Sequence, residues 1–435
     1  MTKAPLNDQV TKPSRRTAVV VEGYPRLSDT SVAQELLALQ KRGVPFEVWS
    51  LRRGLEEGAH PVYRTVSAPV VRLPGRLLRA PFRAVSGLLA VSGLPGFPAA
   101  VRQFRRDFAR DRSLARMRMF GQALVMANEL PADIGHIHAH RLDAPSSVAR
   151  YAATLRGITW SFSAHGGDIW RIPDWEQREK LADALWGVAG TKEGRDHLAE
   201  RAPYREHVAL AYHGLDLGHI PAPLPPSGRN GSNPADPVRI VSVGSAVARK
   251  GYDDLLSALA ALPKDLHWRF VHIGDGAQLD ALKAQAAREE LADKVTFLGA
   301  RSQPDVLALI READLFVLPS KAGEGGDRDG LPTALMEAAS QGLGIIATRF
   351  AAIPEFIADG HEGILVPPGR RDILALAIES LVRNPARRAV LGFAAADRLR
   401  EDFTSDAGID VVEARLRAAL GLARSFVPVQ RDPVP

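Results

Sequence analysis

The chain has 435 residues, 46% of them hydrophobic and 24% charged, with a formal net charge of +6 and no cysteine. That length accommodates two or more full-sized cores, and the lack of cysteine excludes disulfides, thiolate metal sites and a thiol nucleophile. No apolar run is long enough to span a membrane, residues 1–16 lack the apolar core of a secretory signal and read as a disordered basic tail, and the positive balance favours anionic partners.

In chain order, residues 17–21 (TAVVV) form an unbroken apolar run, the pattern of a strand covered on both faces. They lead through EGYPRLSDT into an amphipathic stretch, 31–42, that ends at Gly43, a helix stop signal. Residues 46–51 (FEVWSL) and 69–73 read as the next strands, so the chain opens an α/β domain. Residues 72–118 depart from this pattern, with eleven Arg against two Asp and the apolar stretch AVSGLLAVSGLPGFPAAV between the Arg clusters. A basic, partly amphipathic region suits an anionic membrane surface, and a solvated basic helix face is the other reading of the same residues. Its aromatics, Phe82, Phe97, Phe104 and Phe108, are too sparse for a base-stacking platform, so no nucleic acid is expected.

Residues 134–138 read as a strand carrying His136 and His138, with His140 two positions on, and a period of two puts all three on one face. With no cysteine and few carboxylates nearby in the sequence, no metal site is expected. Residues 159–164 (TWSFSA) are a strand that runs into HGGDIW. His165 leaves the strand's carboxyl end into a glycine turn, with Asp168 three residues on. An exposed His facing a cleft there is a candidate for chemistry, and a His that merely stabilises the turn is the alternative. Residues 186–191 and 208–213 add two strands, and the proline-rich 218–237 is the clearest linker.

Residues 238–244 (VRIVSVG) restart the doubly wound pattern, followed by SAVARKGYDDLLSAL, a strand at 267–273, a GDG turn at 274–276 and a strand at 295–299. DLFVLPS (314–320) then enters an acidic, glycine-rich loop. Pro332 is expected to open a helix with Leu335, Met336, Ala338 and Ala339 on its apolar face, stopping near Gly342, and 344–348 (GIIAT) is the next strand. Ligands of open α/β sheets sit at such strand ends, and a helix N-terminus is a ready anion site. Asp329 and Glu337 flank it, so a ligand with both phosphate and hydroxyls, such as a nucleotide sugar, would suit it.

The string PS…DGLPxxxxE…GxxxxAT resembles the signature of the retaining, family 4 glycosyltransferases of the GT-B fold, in which two Glu separated by seven residues lie across a G-x-P turn. The resemblance covers roughly residues 17–424. It implies two Rossmann-like α/β domains facing a central cleft: a tail (1–16), an acceptor-binding domain (17–217), the linker (218–237), a nucleotide-sugar-binding domain (238–403), a helix returning to the first domain (404–424) and a second tail (425–435). Glu337 matches the Glu that binds the donor ribose. Asp329 stands, one methylene short, where the other Glu touches the donor sugar. FSAHGGDIW resembles the family's F-x-x-H-x-x-D segment, whose His contacts the sugar near the reacting carbon, so the catalytic set is His165 and Asp329. The V-G…K-G-x-x-x-L-L form resembles the diphosphate loop, in which an Arg and a Lys hold the phosphates. Lys250 matches the Lys, Ser245 replaces the Arg, and Arg249 is the candidate to substitute from the other end of the loop. Gly330, Leu331, Pro332 and Thr333 complete the donor set. YPRLSDT resembles the YPRLSET loop of bacterial exopolysaccharide glycosyltransferases of the colanic-acid type, which puts Gly23, Tyr24 and Arg26, with Asp168, in the acceptor cleft.

The resemblance thus implies retaining transfer from a nucleotide-diphosphate sugar to a saccharide or lipid-linked saccharide, with no cofactor and no metal. The expected location is the cytoplasm, free or peripheral on the inner membrane face. Two rivals remain: a GT-B epimerase or hydrolase of nucleotide sugars, and a catalytically silent sugar-nucleotide-binding protein, which the departures at Ser245 and Asp329 would fit. Donor turnover separates them.

Overall fold

A computed structural model describes residues 15–25, 30–54, 62–323 and 330–422, so residues 1–14, the tail 425–435, Arg26 and Asp329 lie outside the described residues. The chain builds two parallel sheets. The first contains β1 (Arg16–Tyr24), β2 (Phe46–Arg53), β3 (Val70–Arg72), β4 (Ile134–His140), β5 (Thr159–Ala164), β6 (Gly187–Ala189) and β7 (Val208–Leu210), in the order β3-β2-β1-β4-β5-β6-β7. The second contains β8 (Val238–Val243), β9 (Trp268–Ile273), β10 (Val295–Phe297), β11 (Leu315–Leu318), β12 (Gly344–Thr348) and β13 (Ile364–Val366), in the order β10-β9-β8-β11-β12-β13. Helices cover both faces, which is why 18–21 and 315–318 are continuous apolar runs with at most 3% exposure. Strand order reverses between β1 and β4 in one sheet and between β8 and β11 in the other. The crevices at the carboxyl ends of those pairs are the two places this architecture offers a ligand.

Two local expectations change. The strands expected at 186–191 and 208–213 are shorter. Past Leu210 the chain leaves the sheet to meet the C-terminal segment, where Leu215 N–H donates to Phe403 O at 2.9 Å. Pro332 does not lie inside the helix: with φ −68° and ψ 122° it is extended and precedes Thr333–Ser340 as the capping residue. The linker is pinned to the base of the second sheet, with Ser227 and Arg229 bonding Asp314.

The basic segment is not uniformly free charge. It forms helices Pro81–Ser92, Phe97–Arg110 and Leu114–Glu129. Arg83 pairs with Glu129 at 2.6 Å, Arg106 and Arg110 with Glu179, and the buried Arg116 with Glu176 at 2.7 Å. These pairs and the buried Asp107–Arg150–Tyr151 cluster fix the helices to one another and to the helices Ala144–Arg156 and Asp174–Asp183.

The last helix, Ser405–Ala419, lies against the first sheet's helical layer. Ile409, Val412 and Leu416 pack with Val19, Leu36 and Val48, and Arg42 donates to Asp406 and Glu413. Glu355 links the halves more directly: its carboxylate accepts from the backbone N–H of Lys192 (2.7 Å) and Glu193 (2.9 Å), capping the helix Lys192–Ala199 of the other half, and from Tyr212 Oη (2.8 Å). A carboxylate at a helix N-terminus satisfies unpaired N–H groups and complements the helix dipole.

Candidate active site

At the carboxyl edge of the second sheet two glycine turns press together. A Cβ on Gly274, after β9, would stand 2.0 Å from Gly244 O, after β8, and the φ of Gly274 is +147°. Ala248–Lys250 then makes one 3-10 turn, closed by Gly251 at φ +68°, where a Cβ would stand 2.0 Å from Pro319 O beyond β11. Lys321 N–H donates to Arg249 O at 2.8 Å. Arg249 and Lys250 therefore sit over the β8–β11 reversal, with the Lys250 stem 3.4 Å from the Cβ position of Gly244 and Ser245 exposed beside it. Across this edge the Thr333–Ser340 helix begins, its Leu335 and Met336 buried in the core. Thr333 is exposed, Leu331 partly buried and Pro332 buried. Glu337, 7% exposed, accepts from Gln303 Nε2 at 3.2 Å. It is not a solvated helix residue but a carboxylate in the wall of the crevice.

The first sheet's reversal carries a different chemistry. His136 and His138 hang from β4 and are held by Thr159, Ser161 and Ser163 of β5 at 2.7–3.0 Å. His140, at the strand's end, meets His165 (Nδ1 to Nε2, 3.3 Å), and His165 meets His213 (Nδ1 to Nε2, 2.5 Å). Glu35, from the helix Thr30–Lys41, closes on this group and is 5% exposed. His165 is thus only partly exposed, packed by histidines rather than standing free in the turn.

Burial governs the protonation of this cluster. It holds His136 and His140 down at about 3 and His213 at about 4, drives His138 and His165 well below the usual imidazole range, and pushes Glu35 up to about 8.

Asp168 was expected in the acceptor cleft. It is fully buried, and its carboxylate accepts from Leu142 N–H (2.5 Å) and His165 N–H (2.9 Å), so it pins the turn that presents His165. Burial pushes its carboxyl up to about 7. Gly23 and Tyr24 end β1 at the same crevice, Tyr24 buried with its ring edge-on to Tyr63 at 5.0 Å. Arg141, which follows His140, has φ +85°, a strained backbone for a residue with a side chain, and pairs with Asp143 at 2.8 Å.

The two crevices face each other. A Cβ built on Gly330 would lie 3.9 Å from Gly166 Cα and from Thr191 Cγ2, so the G-L-P turn of the second half abuts the His165 turn of the first. Sequence reasoning missed Glu35, His213 and Glu355. His213 had a signal, since Ala-His-Gly at 164–166 is echoed by Tyr-His-Gly at 212–214, each a His before a glycine past a strand. Glu35 had none, because it sits mid-helix.

Glu35, His138 and His140 each offer a ligand atom within 4.8 Å of the others. Ligands of one tetrahedral zinc stand about 3.3 Å apart, given metal–ligand bonds of about 2.0 Å. Both His138 nitrogens are already engaged by serines. The arrangement is that of a hydrogen-bonded cluster. A cavity lies elsewhere, at the amino edge of the second sheet under the linker, lined by Pro225, Arg229, Asp314 and Arg388.

The neutral histidines make acid stability testable. A His whose folded pKa is depressed stabilises the fold above its unfolded value of about 6.5 and loses that contribution as pH falls toward the folded pKa. His136 and His140 are at most 1% exposed. Between pH 6.5 and 4.5 each removes about 2.3 kcal/mol, together up to about 4.6 kcal/mol. Urea unfolding at the two pH values checks this, and equal stabilities would mean these histidines take up protons alike in the folded and unfolded chain.

Two Rossmann-like sheets whose reversal points face each other, with glycine turns and a helix N-terminus at one and a histidine cluster at the other, define the GT-B class. Solved structures agree in fold. A glycosyltransferase from Rickettsia africae has TM-score 0.69 at 16% identity, covering 94% of this chain and 100% of that one. HepE of Anabaena in complex with UDP and glucose has TM-score 0.66 at 17% identity, covering 93% and 100%. Residues 229–398 match the family model "Glycosyl transferases group 1". The amylovoran biosynthesis glycosyltransferase AmsK of Erwinia amylovora is 32% identical over 295 residues, 65% of this chain and 69% of that protein. The putative colanic acid biosynthesis glycosyltransferase WcaL of Escherichia coli is 27% identical over 370 residues, 81% and 87%. The chain belongs to the group 1 glycosyl transferases.

Proposed function

We propose that the protein transfers a sugar, with retention, from a nucleotide-diphosphate sugar to a saccharide or lipid-linked saccharide in exopolysaccharide or cell-surface polysaccharide biosynthesis. The observation that carries this is the abutment of the Gly330 turn and the His165 turn, which brings the glycine turns and helix start of the second sheet against a wall that carries histidines. The amylovoran and colanic acid relatives support the pathway class, and the UDP and glucose held by HepE support the donor class. In this reading the first half (17–217) holds the acceptor, with Gly23 and Tyr24 at its mouth, and the second (238–403) holds the donor. Lys250, Arg249, Ser245 and the amides at the helix start offset the growing charge of the leaving diphosphate, without a metal. Gly330–Thr333 border the phosphates, Glu337 pairs with the ribose hydroxyls, and His165 and Asp329 position the sugar. A leaving phosphate oxygen can take the acceptor's proton, so no separate base is assigned. Glu337→Ala should weaken nucleotide binding by about 1–3 kcal/mol, read by calorimetric titration with UDP, GDP and ADP. Unchanged affinity for all three in a folded variant would remove the ribose role.

A membrane-facing role for the basic segment is part of this reading. Among the described residues no helix is long and apolar enough to cross a membrane. Instead Phe82 (89% exposed), Val85 and Leu89 share one face of the helix Pro81–Ser92, with Arg76, Arg79, Arg102 and Arg105 exposed on the same segment. An apolar helix face with exposed arginines on the same segment fits the boundary of an anionic bilayer. Reversing those four charges should abolish binding to phosphatidylglycerol vesicles, and wild-type binding should weaken with salt. Arg106 is left out because Glu179 already holds it at 2.6 Å. Wild type that ignores the vesicles would leave the segment a solvated face.

A further inference from the structure

At the carboxyl edge of the first sheet one arginine stands without a partner. Arg118, on the helix Leu114–Glu129, is half-buried, and among the described residues its guanidinium makes no hydrogen bond or ion pair. Burial, and then the like charge of Arg52, hold that guanidinium below the ordinary arginine range, and Glu22 offsets the two only in part. Taking a charge out of water without a partner costs free energy, so such a group calls for an anion. We propose that Arg118 and Arg52 form a phosphate subsite in the acceptor half, and that the acceptor is a saccharide joined to a lipid through a phosphate or diphosphate. This rests on the reading of residues 17–217 as the half that holds the acceptor.

The topology sets this pair in a row with the cleft. Arg52, near the end of β2, is in register with Gly23 of β1, and its guanidinium lies 3.4 Å from Glu22. Glu22 also lies 3.8 Å from Arg141, which follows β4 and is held at 2.8 Å by Asp143. One carboxylate thus faces three guanidiniums, and with Asp143 counted the group keeps a net positive charge. His165 follows β5. The order β2-β1-β4-β5 therefore puts three strand spacings, about 14 Å, between the Arg52 edge and His165. A short saccharide fits along that edge, its phosphate at Arg118 and Arg52 and its reacting hydroxyl at the cleft. The planar fork of a guanidinium matches phosphate oxygens in pairs.

The helix that carries Arg118 also leads to the apolar face. Gln122, one turn on, donates to Leu51 O at 2.9 Å and Pro74 O at 3.1 Å, which fixes this part of the helix over the strand that carries Arg52. Further along, the helix Pro81–Ser92 crosses at Gly87, where a Cβ would stand 3.2 Å from Leu124 O and Val125 N. Residues 118 to 124 span about 9 Å of helix. The crossing helix is the one that exposes Phe82, Val85 and Leu89. A phosphate at Arg118 with its lipid running toward that face keeps the charge in the crevice and the hydrocarbon at the bilayer boundary.

The test is calorimetric titration of the full chain with farnesyl diphosphate, a short prenyl diphosphate, and with farnesol and inorganic pyrophosphate as its separate halves. Arg118→Gln should weaken binding of farnesyl diphosphate at least tenfold, Arg52→Gln should weaken it too, and Lys250→Ala should leave it unchanged. Each half should bind more weakly than the whole. Loss in Lys250→Ala with none in Arg118→Gln puts the anion in the donor crevice and overturns the subsite. Farnesol that binds as tightly as farnesyl diphosphate overturns the phosphate. Should Arg118→Gln fail to fold, Arg52, 55% exposed, supplies the variant that decides, and unchanged affinity in Arg52→Gln then overturns the proposal. Phosphatidylglycerol vesicles should bind Arg118→Gln like wild type. Weaker vesicle binding with unchanged affinity for farnesyl diphosphate makes Arg118 a membrane contact and overturns the subsite. The transfer reading fails separately, if no sugar nucleotide is turned over while farnesyl diphosphate still binds through Arg118.

Discussion

Replacing Lys250 with alanine is expected to lower turnover at least tenfold, about 1.4 kcal/mol of transition-state stabilisation. Lys250 lies on the 3-10 turn over the β8–β11 reversal, its stem passing Gly244. A diphosphate leaving from this edge gains negative charge as the glycosidic bond breaks, and a cation fixed in place before the reaction stabilises that charge without reorganisation. Ser245, where the family has an arginine, is exposed and uncharged. If Arg249 supplies the missing cation, Arg249→Ala falls at least tenfold as well, and Ser245→Arg is neutral or tightens donor binding. A silent Arg249→Ala beside an impaired Lys250→Ala leaves a single cation. If both are silent in an active protein, the diphosphate binds elsewhere and the donor assignment is wrong.

Gly274→Ala should destabilise the second half by about 2 kcal/mol or more and abolish measurable nucleotide binding. The residue has φ +147°, which costs a side chain about 1–3 kcal/mol in strain alone. Its new Cβ would also lie 2.0 Å from Gly244 O and 3.4 Å from Ser245 N. Relief requires the two turns to separate, which moves Ser245 and the loop leading to Lys250. Denaturant unfolding gives the first effect and nucleotide titration the second. A variant with wild-type stability and affinity would show that the turns are not held together as described.

The strand at 159–164 and the two-sheet architecture were legible because parallel strands covered on both faces leave unbroken apolar runs, and glycine marks where each run stops. His165 and Lys250 could be proposed from the sequence for a related reason, since residues past a strand end at a reversal point are where ligands of open α/β sheets sit. Glu35 was not legible. The order that sets β1 beside β4 carries its helix to His140, and nothing local to QELLAL announces it. The judgement that carboxylates near the histidines are few was a statement about sequence neighbours, and Glu35 arrives from far along the chain. The burial of Asp168 was not legible because three residues past a strand can be the inside of a turn as easily as its rim, and only the buried bonds to Leu142 and His165 decide which. The paired state of Arg83, Arg106, Arg110 and Arg116 was hidden because their carboxylate partners lie on other helices.

The most direct test of the whole account is donor turnover. The purified full chain is incubated with UDP-, GDP- and ADP-sugars and a lipid-linked saccharide acceptor, following nucleoside diphosphate release and the anomeric configuration of the product by NMR. The account predicts acceptor-dependent release from one donor class, with the donor's anomeric configuration kept in the product and the rate at least tenfold lower in Lys250→Ala. An inverted product, a free epimerised sugar nucleotide, or tight nucleotide binding without turnover of any donor would contradict it.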